Sequence, residues 1–290
     1  MERRLARNFY FYTFPWLFGF LTLTVYPVVQ SFWLMFTDTK LTGVGQYIGL
    51  TNWIYAFTKD AIFLKAFGNT LKYVAMYVPS CLILAFCIAL LLSRNVRGLG
   101  FFRTVFYLPY ITAGVATTIL WGWIFNKDYG LLNYFLSILG LNGVNWLGDP
   151  NIAMMSIVIL SLWTIGNNII IMLAGIQDIP VTYYESANID GASEFRCVFL
   201  ITLPLITPTI FFNLIVTMIS AFQIFNQPFI LTNGGPLNST YTVAMHLFNN
   251  AFKYGKMGYA SMNAWGLLII IMALTLVIQK TSDKWVFYDS

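Results

Sequence analysis

The chain has 290 residues, 58% hydrophobic and only 9% charged, with a mean hydropathy of +0.71. That excludes a soluble globular domain, in which about a quarter of residues carry charge. The net charge of +5 is not gathered into a basic patch interleaved with aromatics, and no binding motif appears, so nucleic acid is excluded as a partner. The three cysteines offer neither a disulfide framework nor a metal motif: Cys81 and Cys87 share one apolar run and point apart, and Cys197 lies in a charged loop.

Arg3, Arg4 and Arg7 precede an apolar run over 11–36. The run is too long for a cleaved signal and has no small-residue cleavage site after it, so it reads as a retained first span. Further runs cover 70–93, 104–125, 152–176, 206–228 and 262–279. Each is long enough for a hydrocarbon core that needs about 20 helical residues. The prediction is an all-α integral membrane protein, one domain over 1–290 with six transmembrane helices and both termini on one side. All seven arginines, with Lys280 and Lys284, fall on the side of the termini, nine basic residues against six opposite, with Lys72 at a span edge. The positive-inside bias therefore puts the termini and the 177–204 connection in the cytosol.

Two outer segments are long, 37–69 and 229–261. The second holds an Asn233-Gly234-Gly235-Pro236 turn and a stretch from Tyr241 to Tyr254 with helical amphipathic spacing, expected as a re-entrant or interfacial helix. His246, the single histidine, reads there as a surface or packing residue rather than a ligand.

No phosphate-cradling Gly-Lys-Ser/Thr loop, zinc motif or nucleophile elbow occurs, and the spans hold no Asp, Glu, Arg or His. An enzyme at membrane depth, or a proton-driven carrier, needs such groups. Neutral polar residues do occur at depth. Ser161, Thr164 and Asn168 are spaced for one helix face in the fourth span. Asn213, Thr217, Ser220, Gln223 and Gln227 form a stripe in the fifth, with Asn226 beside it. Tyr110 follows Pro109 in the third. Two readings fit: a hydrophilic path for a neutral, hydroxyl-rich solute, and interhelical glue, for which small polar residues also serve.

The most charged segment lies between the fourth and fifth runs. Asp178, Glu185, Asp190, Glu194 and Arg196 fall there, with Pro180 suited to a helix start and Asp190-Gly191 to a turn. A second short helix is expected from about Ser193, with Phe195, Phe199 and Thr202 on one side and an end near Pro204. Glu185-Ser186-Ala187, Gly191, and Ile201-Thr202-Leu203-Pro204 match in spacing the EAA loop of ABC importer permeases, with Ser186 in the place of a second alanine. Together with Gly49-Leu50-Thr51-Asn52, Asn69-Thr70, Leu108-Pro109-Tyr110 and Leu231-Thr232-Asn233-Gly234-Gly235-Pro236, the chain resembles the carbohydrate branch of that family, the maltose F-type and glycerol-phosphate A-type permeases.

The resemblance implies a type I importer permease fold with a cytosolic coupling helix, and transport of a sugar or oligosaccharide by alternating access. It implies ATPase coupling by Glu185, Ser186, Ala187, Asp190, Gly191, Ala192 and Pro204. A second, homologous permease, two cytosolic ATPases and an extracytoplasmic sugar-binding protein would complete a heteromeric complex in a bacterial or archaeal plasma membrane. This chain would then be no enzyme and bind no cofactor of its own, ATP and Mg belonging to the ATPases. The rival readings are a self-sufficient secondary carrier or channel, a membrane scaffold, or a permease for glycerol phosphodiesters or amino acids.

Overall fold

A computed structural model describes residues 2–94, 98–112 and 114–287, without the side chains of 2–8, 10 and 11. Of the arginines behind the expected orientation, Arg97 and the side chains of Arg3, Arg4 and Arg7 lie outside the described residues. The described residues are helical, apart from connections and one isolated antiparallel bridge between Thr37 and Tyr47. In chain order α1 (Glu2–Phe20) runs through a π-helical turn (Leu21–Val25) into α2 (Tyr26–Leu34), followed by α3 (Thr51–Thr58) and α4 (Ala61–Ser93). Then come α5 (Leu99–Ile111), α6 (Gly114–Ile124), α7 (Leu131–Ile138), α8 (Ala153–Trp163), α9 (Gly166–Gln177) and α10 (Val181–Ile189). After α11 (Glu194–Cys197), a second π turn (Val198–Thr202) leads to α12 (Leu203–Leu205) and α13 (Thr207–Phe222). The chain ends with α14 (Asn226–Thr232), α15 (Val243–Phe248), a third π turn (Asn249–Lys253) and α16 (Met257–Ser282).

Three helices are long and apolar enough to cross a membrane unbroken: Tyr12–Leu34, α4 and α16. Three bent pairs qualify as one span each, giving six in all: α5 with α6, α8 with α9, and Glu194–Leu205 with α13. These follow the six apolar runs in order, but three expected continuous helices are interrupted, the third run being divided between α5 and α6. The fourth run is broken between α8 and α9 by 51°. There the Thr164 hydroxyl turns back to the Ser161 carbonyl (2.9 Å), and Gly166 lets α5 cross against bare backbone. The fifth run stops at Phe222 instead of continuing to 228, and α14 begins separately at Asn226.

α4 is also longer than its apolar run, because Asp60 caps it early by accepting from the amides of Ile62 (3.0 Å) and Phe63 (2.9 Å). Its 33 residues measure roughly 50 Å at the α-helical rise. That exceeds a hydrocarbon core of about 30 Å.

The chain divides into two compact units, one of residues 1–63 and 246–268, the other of 64–245 and 269–290. In the first, the Asn52 amide donates to the carbonyls of Met35 (3.0 Å) and Thr37 (2.9 Å), which accounts for the asparagine of the Gly-Leu-Thr-Asn motif. Trp265 Nε1 donates to Ser31 Oγ (3.1 Å). The stretch expected as a re-entrant or interfacial helix is covered by protein here, with His246 and Asn250 both buried, so the interfacial alternative is ruled out and His246 is a packing residue. His246 Nε2 stands 3.3 Å from Asp60 Oδ2, which also accepts from the Tyr259 hydroxyl (2.8 Å). Burial holds the histidine below its ordinary pKa, the Asp60 carboxylate partly opposing that and Lys256 adding to it.

In the second unit the core runs along one face of α4. Cys81, Ala85 and Ala89, four residues apart and fully buried, form a small-residue seam against Ile165, Ile169, Met172 and Ile176. Small side chains allow that close approach where lipid gives helices no hydrophobic reason to associate.

Candidate coupling loop and polar path

The charged connection is two helices with a glycine between them. Pro180 stands one residue before α10 and its extended backbone sets the entry. At the far end Gly191 adopts φ +75°, its amide bonds the Asn188 carbonyl (3.1 Å), and the Ala192 amide bonds the Ala187 carbonyl (2.9 Å). This is the paired closure in which a left-handed residue satisfies the last orphan carbonyls of a helix, and glycine takes it without strain. A side chain at 191 would meet no atom within 4 Å, so the glycine is required by the backbone angle and not by crowding within this chain.

Ser193 then caps α11, its hydroxyl accepting from the Arg196 amide (3.3 Å), and Arg94 at the end of α4 pairs with Glu194 (2.9 Å) on the exposed surface. The expected second helix does continue to Leu205. Its π turn shifts the helical phase, so Phe195 and Phe199 meet at a tilt on the exposed side while Thr202 turns inward and is buried. Pro204 lies at the end of this helix, and Pro208 sits in the first turn of α13, where a missing amide is no loss.

One polar clasp fixes the loop helix to the membrane helices: the hydroxyls of Tyr184 and Thr202 share a hydrogen bond of 2.9 Å. Sequence reasoning missed this pair, whose only trace is a tyrosine and a threonine inside the two flanks of the motif. A cavity of about 810 Å³ opens between α10 and the ends of α4 and α9, with Leu90, Leu91, Ile176 and Val181 in its apolar lining. The opposite side of α10 exposes Glu185, Ser186, Ile189 and Asp190, with Ala187 half-buried. Among the described residues Glu185 makes no hydrogen bond or ion pair. Ala192 is half-buried behind the glycine, and Pro204 lies at the bend into α13.

The candidate path residues separate into two groups. Ser161, Thr164, Asn168 and Thr217 are engaged within the chain. Ser161 Oγ accepts from the Tyr73 hydroxyl (2.9 Å) and donates to the Ile157 carbonyl (2.9 Å). The Asn168 amide donates to Asn213 Oδ1 (3.1 Å) and Thr217 Oγ1 (2.7 Å), joining α9 to α13. Tyr110, Ser220, Gln223 and Asn226 are exposed, and the side chains of the last three make no hydrogen bond among the described residues. Because α13 ends at Phe222, Gln223 closes that helix and Asn226 opens the next, so the expected single stripe is split. Beside these residues Phe222 is buried and Trp163 is exposed, edge-on to Trp121.

Residues 62–286 match a family model described as the binding-protein-dependent transport system inner membrane component. A probable ABC transporter permease protein, YesP, of Bacillus subtilis (strain 168) is 40% identical over 97% of this chain and 92% of its own. The trehalose/maltose transport system permease protein MalF of Thermococcus litoralis is 32% identical over 97% of this chain and 95% of its own. The fold is that of a subunit in the crystal structure of a bacterial ABC transporter that imports the acidic polysaccharide alginate. The TM-score is 0.83 at 22% identity, with 98% of each chain covered.

Proposed function

The chain belongs to the binding-protein-dependent transport system inner membrane component family, and we propose that it forms half of the translocation path of a carbohydrate ABC importer, working by alternating access. Its relatives include a trehalose/maltose permease, and the alginate transporter has also been solved with a substrate-bound periplasmic protein. On this reading the subunit pairs with a second, homologous permease. Two cytosolic ATPases bind the ATP and Mg, and an extracytoplasmic binding protein delivers the sugar. The complex lies in the plasma membrane with both termini of this chain in the cytosol.

The observation that carries the reading is the 181–205 loop. ATP hydrolysed in another chain moves these helices only through a stiff, attached element. α10 is closed at one end by Gly191 and tied by Tyr184 to Thr202 beside the α13 bend, while Glu185, Ser186 and Ile189 face outward. The solute path runs past Tyr110, Ser220, Gln223 and Asn226. Ser161, Thr164, Asn168 and Thr217 hold the wall behind them. The six apolar runs hold no Asp, Glu, Arg or His and only Lys72, near an outer edge, which suits an uncharged, hydroxyl-rich solute.

The test is reconstitution with the partner permease, ATPases and binding protein in proteoliposomes. ATP-dependent uptake of a neutral oligosaccharide is expected. Glu185→Ala should lower binding-protein-stimulated turnover, because a charge-assisted contact of about 1.5–3 kcal/mol is lost. Uptake by this chain alone under an ion gradient would overturn the reading in favour of a secondary carrier.

A further inference from the structure

Residues 283–287 fold back onto the bend that follows the charged loop. Beyond α16 the amides of Lys284, Trp285 and Val286 bond the carbonyls of Thr281 (3.2 Å) and Ser282 (3.0 and 2.8 Å), so the tail is a closed turn, and Val286 is buried. The Trp285 ring meets Phe211 of α13 edge to face, with centroids 5.9 Å apart. The Phe287 amide then donates to Thr207 Oγ1 (2.8 Å). Chain ends fray unless they are tied down. This one is tied to the start of a helix 80 residues away in sequence.

Thr207 stands where the fifth span bends by 65°. Pro208 has no amide, so the Pro204 carbonyl lacks the donor that a continuous helix would offer it four residues on. The Thr207 hydroxyl supplies a donor instead, bonding the Pro204 carbonyl (2.7 Å), while its oxygen accepts the Phe287 amide. One hydroxyl therefore joins the last residue of the Glu185–Pro204 motif, the first of α13 and the tail of α16. The bend itself needs only the Pro204 bond. A cleft of about 450 Å³ has Phe211 on one side and Leu276, Gln279 and Lys280 on the other, so side-chain packing does not close α13 on α16 at this end. The tail bridges what that packing leaves open.

We propose that residues 283–287 are a strap that makes α13 and the end of α16 move as one body when the 181–205 loop is driven, with Thr207 as its positioning residue; this rests on the importer reading above. A displacement entering at α10 passes through α11 and α12 to the bend. Coupling between distant sites is carried by packed side chains, hydrogen-bond networks and rigid elements, and a break in a helix weakens that chain unless it is braced. The shared hydroxyl and the edge-to-face ring pair are the brace. They carry the displacement to a second span that the loop does not adjoin in sequence.

The experiment uses the whole transporter in proteoliposomes with the binding protein that supports wild-type uptake, and reads solute imported per ATP hydrolysed. Thr207→Val, which keeps the shape and removes the hydroxyl, should lower that ratio about fivefold, the factor one net hydrogen bond commands, with binding-protein-stimulated turnover within about twofold of wild type. Thr207→Ser should restore the ratio. Phe287→Pro, which removes the strap's donating amide, should act like Thr207→Val; a normal ratio there means that the hydroxyl serves the bend alone and overturns the strap. An unchanged ratio in Thr207→Val overturns it too, as does a fall of uptake and turnover together with a lower melting temperature, the mark of a purely structural contact. Where Thr207→Val fails to assemble, Phe211→Cys with Trp285→Cys, in a background lacking Cys81, Cys87 and Cys197, is joined by a short reducible cross-linker with Thr207 intact. Uptake that survives the cross-link supports one moving body, and uptake lost on cross-linking and regained on reduction overturns it. A wild-type complex without ATP-dependent uptake fails at the importer reading, and the strap falls with it.

Discussion

At Gly191 the requirement is purely a backbone one, and that makes its substitutions separable. Left-handed backbone costs a branched residue about 1–2 kcal/mol more than glycine, whereas asparagine often accepts it. Gly191→Asn is therefore expected to keep most uptake and Gly191→Val to lose most of it. Uptake and ATPase turnover measured side by side in proteoliposomes check both. Asn168 makes a different kind of prediction. Asn168→Leu strands Asn213 Oδ1, on a side chain only 1% exposed, and takes a partner from Thr217. The expected cost is about 1–3 kcal/mol, read as a lower melting temperature in detergent. Lost uptake with unchanged melting would show instead that Asn168 touches the solute. For His246, burial lowers the pKa below 6.5, so the folded state favours the neutral ring. Its contribution is complete above the ordinary histidine pKa and is lost as pH falls below it toward the folded value. Melting temperature should decline on acidification from pH ~7.5 to ~5, and His246→Gln should show a shallower decline in the same buffers.

Among the elements, the bends are what the sequence pattern conceals most. Hydrophobic periodicity marks a run as apolar and helical, yet α8 and α9 share one run, and nothing in its periodicity announces a turn at Thr164. The cause lies in a neighbour: α5 crosses where Gly166 has no side chain. A Cβ there would stand 2.6 Å from the Phe106 carbonyl oxygen and 2.9 Å from Tyr107 Cα. Backbone cannot yield as a flexible side chain can. Gly166→Ala should consequently cost about 1–3 kcal/mol by overpacking, measured as a loss of thermal stability. Gly68→Ala, with nothing within 4 Å, serves as the neutral control. The loop helices were more legible, because proline, glycine and a serine cap are local signals. The Tyr184–Thr202 clasp was not, since its partners are 18 residues apart and meet only through the fold.

For the molecule as a whole, orientation is the property most directly open to measurement. With single cysteines in a background lacking Cys81, Cys87 and Cys197, Lys280→Cys should react only with reagent on the cytosolic side and Asn238→Cys only from outside. Both positions are exposed, whereas Ser282, at the end of α16, is too buried to report. Reaction of both from the same side would mean that a bent pair does not cross. Composition, run lengths and the spacing of the Glu185–Pro204 motif determined the helical membrane class, the six candidate spans and the family, because those properties are carried by local residue type and order. Tertiary structure decided where Tyr184 and Asn168 find their partners, that α13 ends at Phe222, and that the Phe287 amide meets the Thr207 hydroxyl. Those outcomes depend on contacts between residues far apart in the chain, which hydrophobic periodicity does not encode.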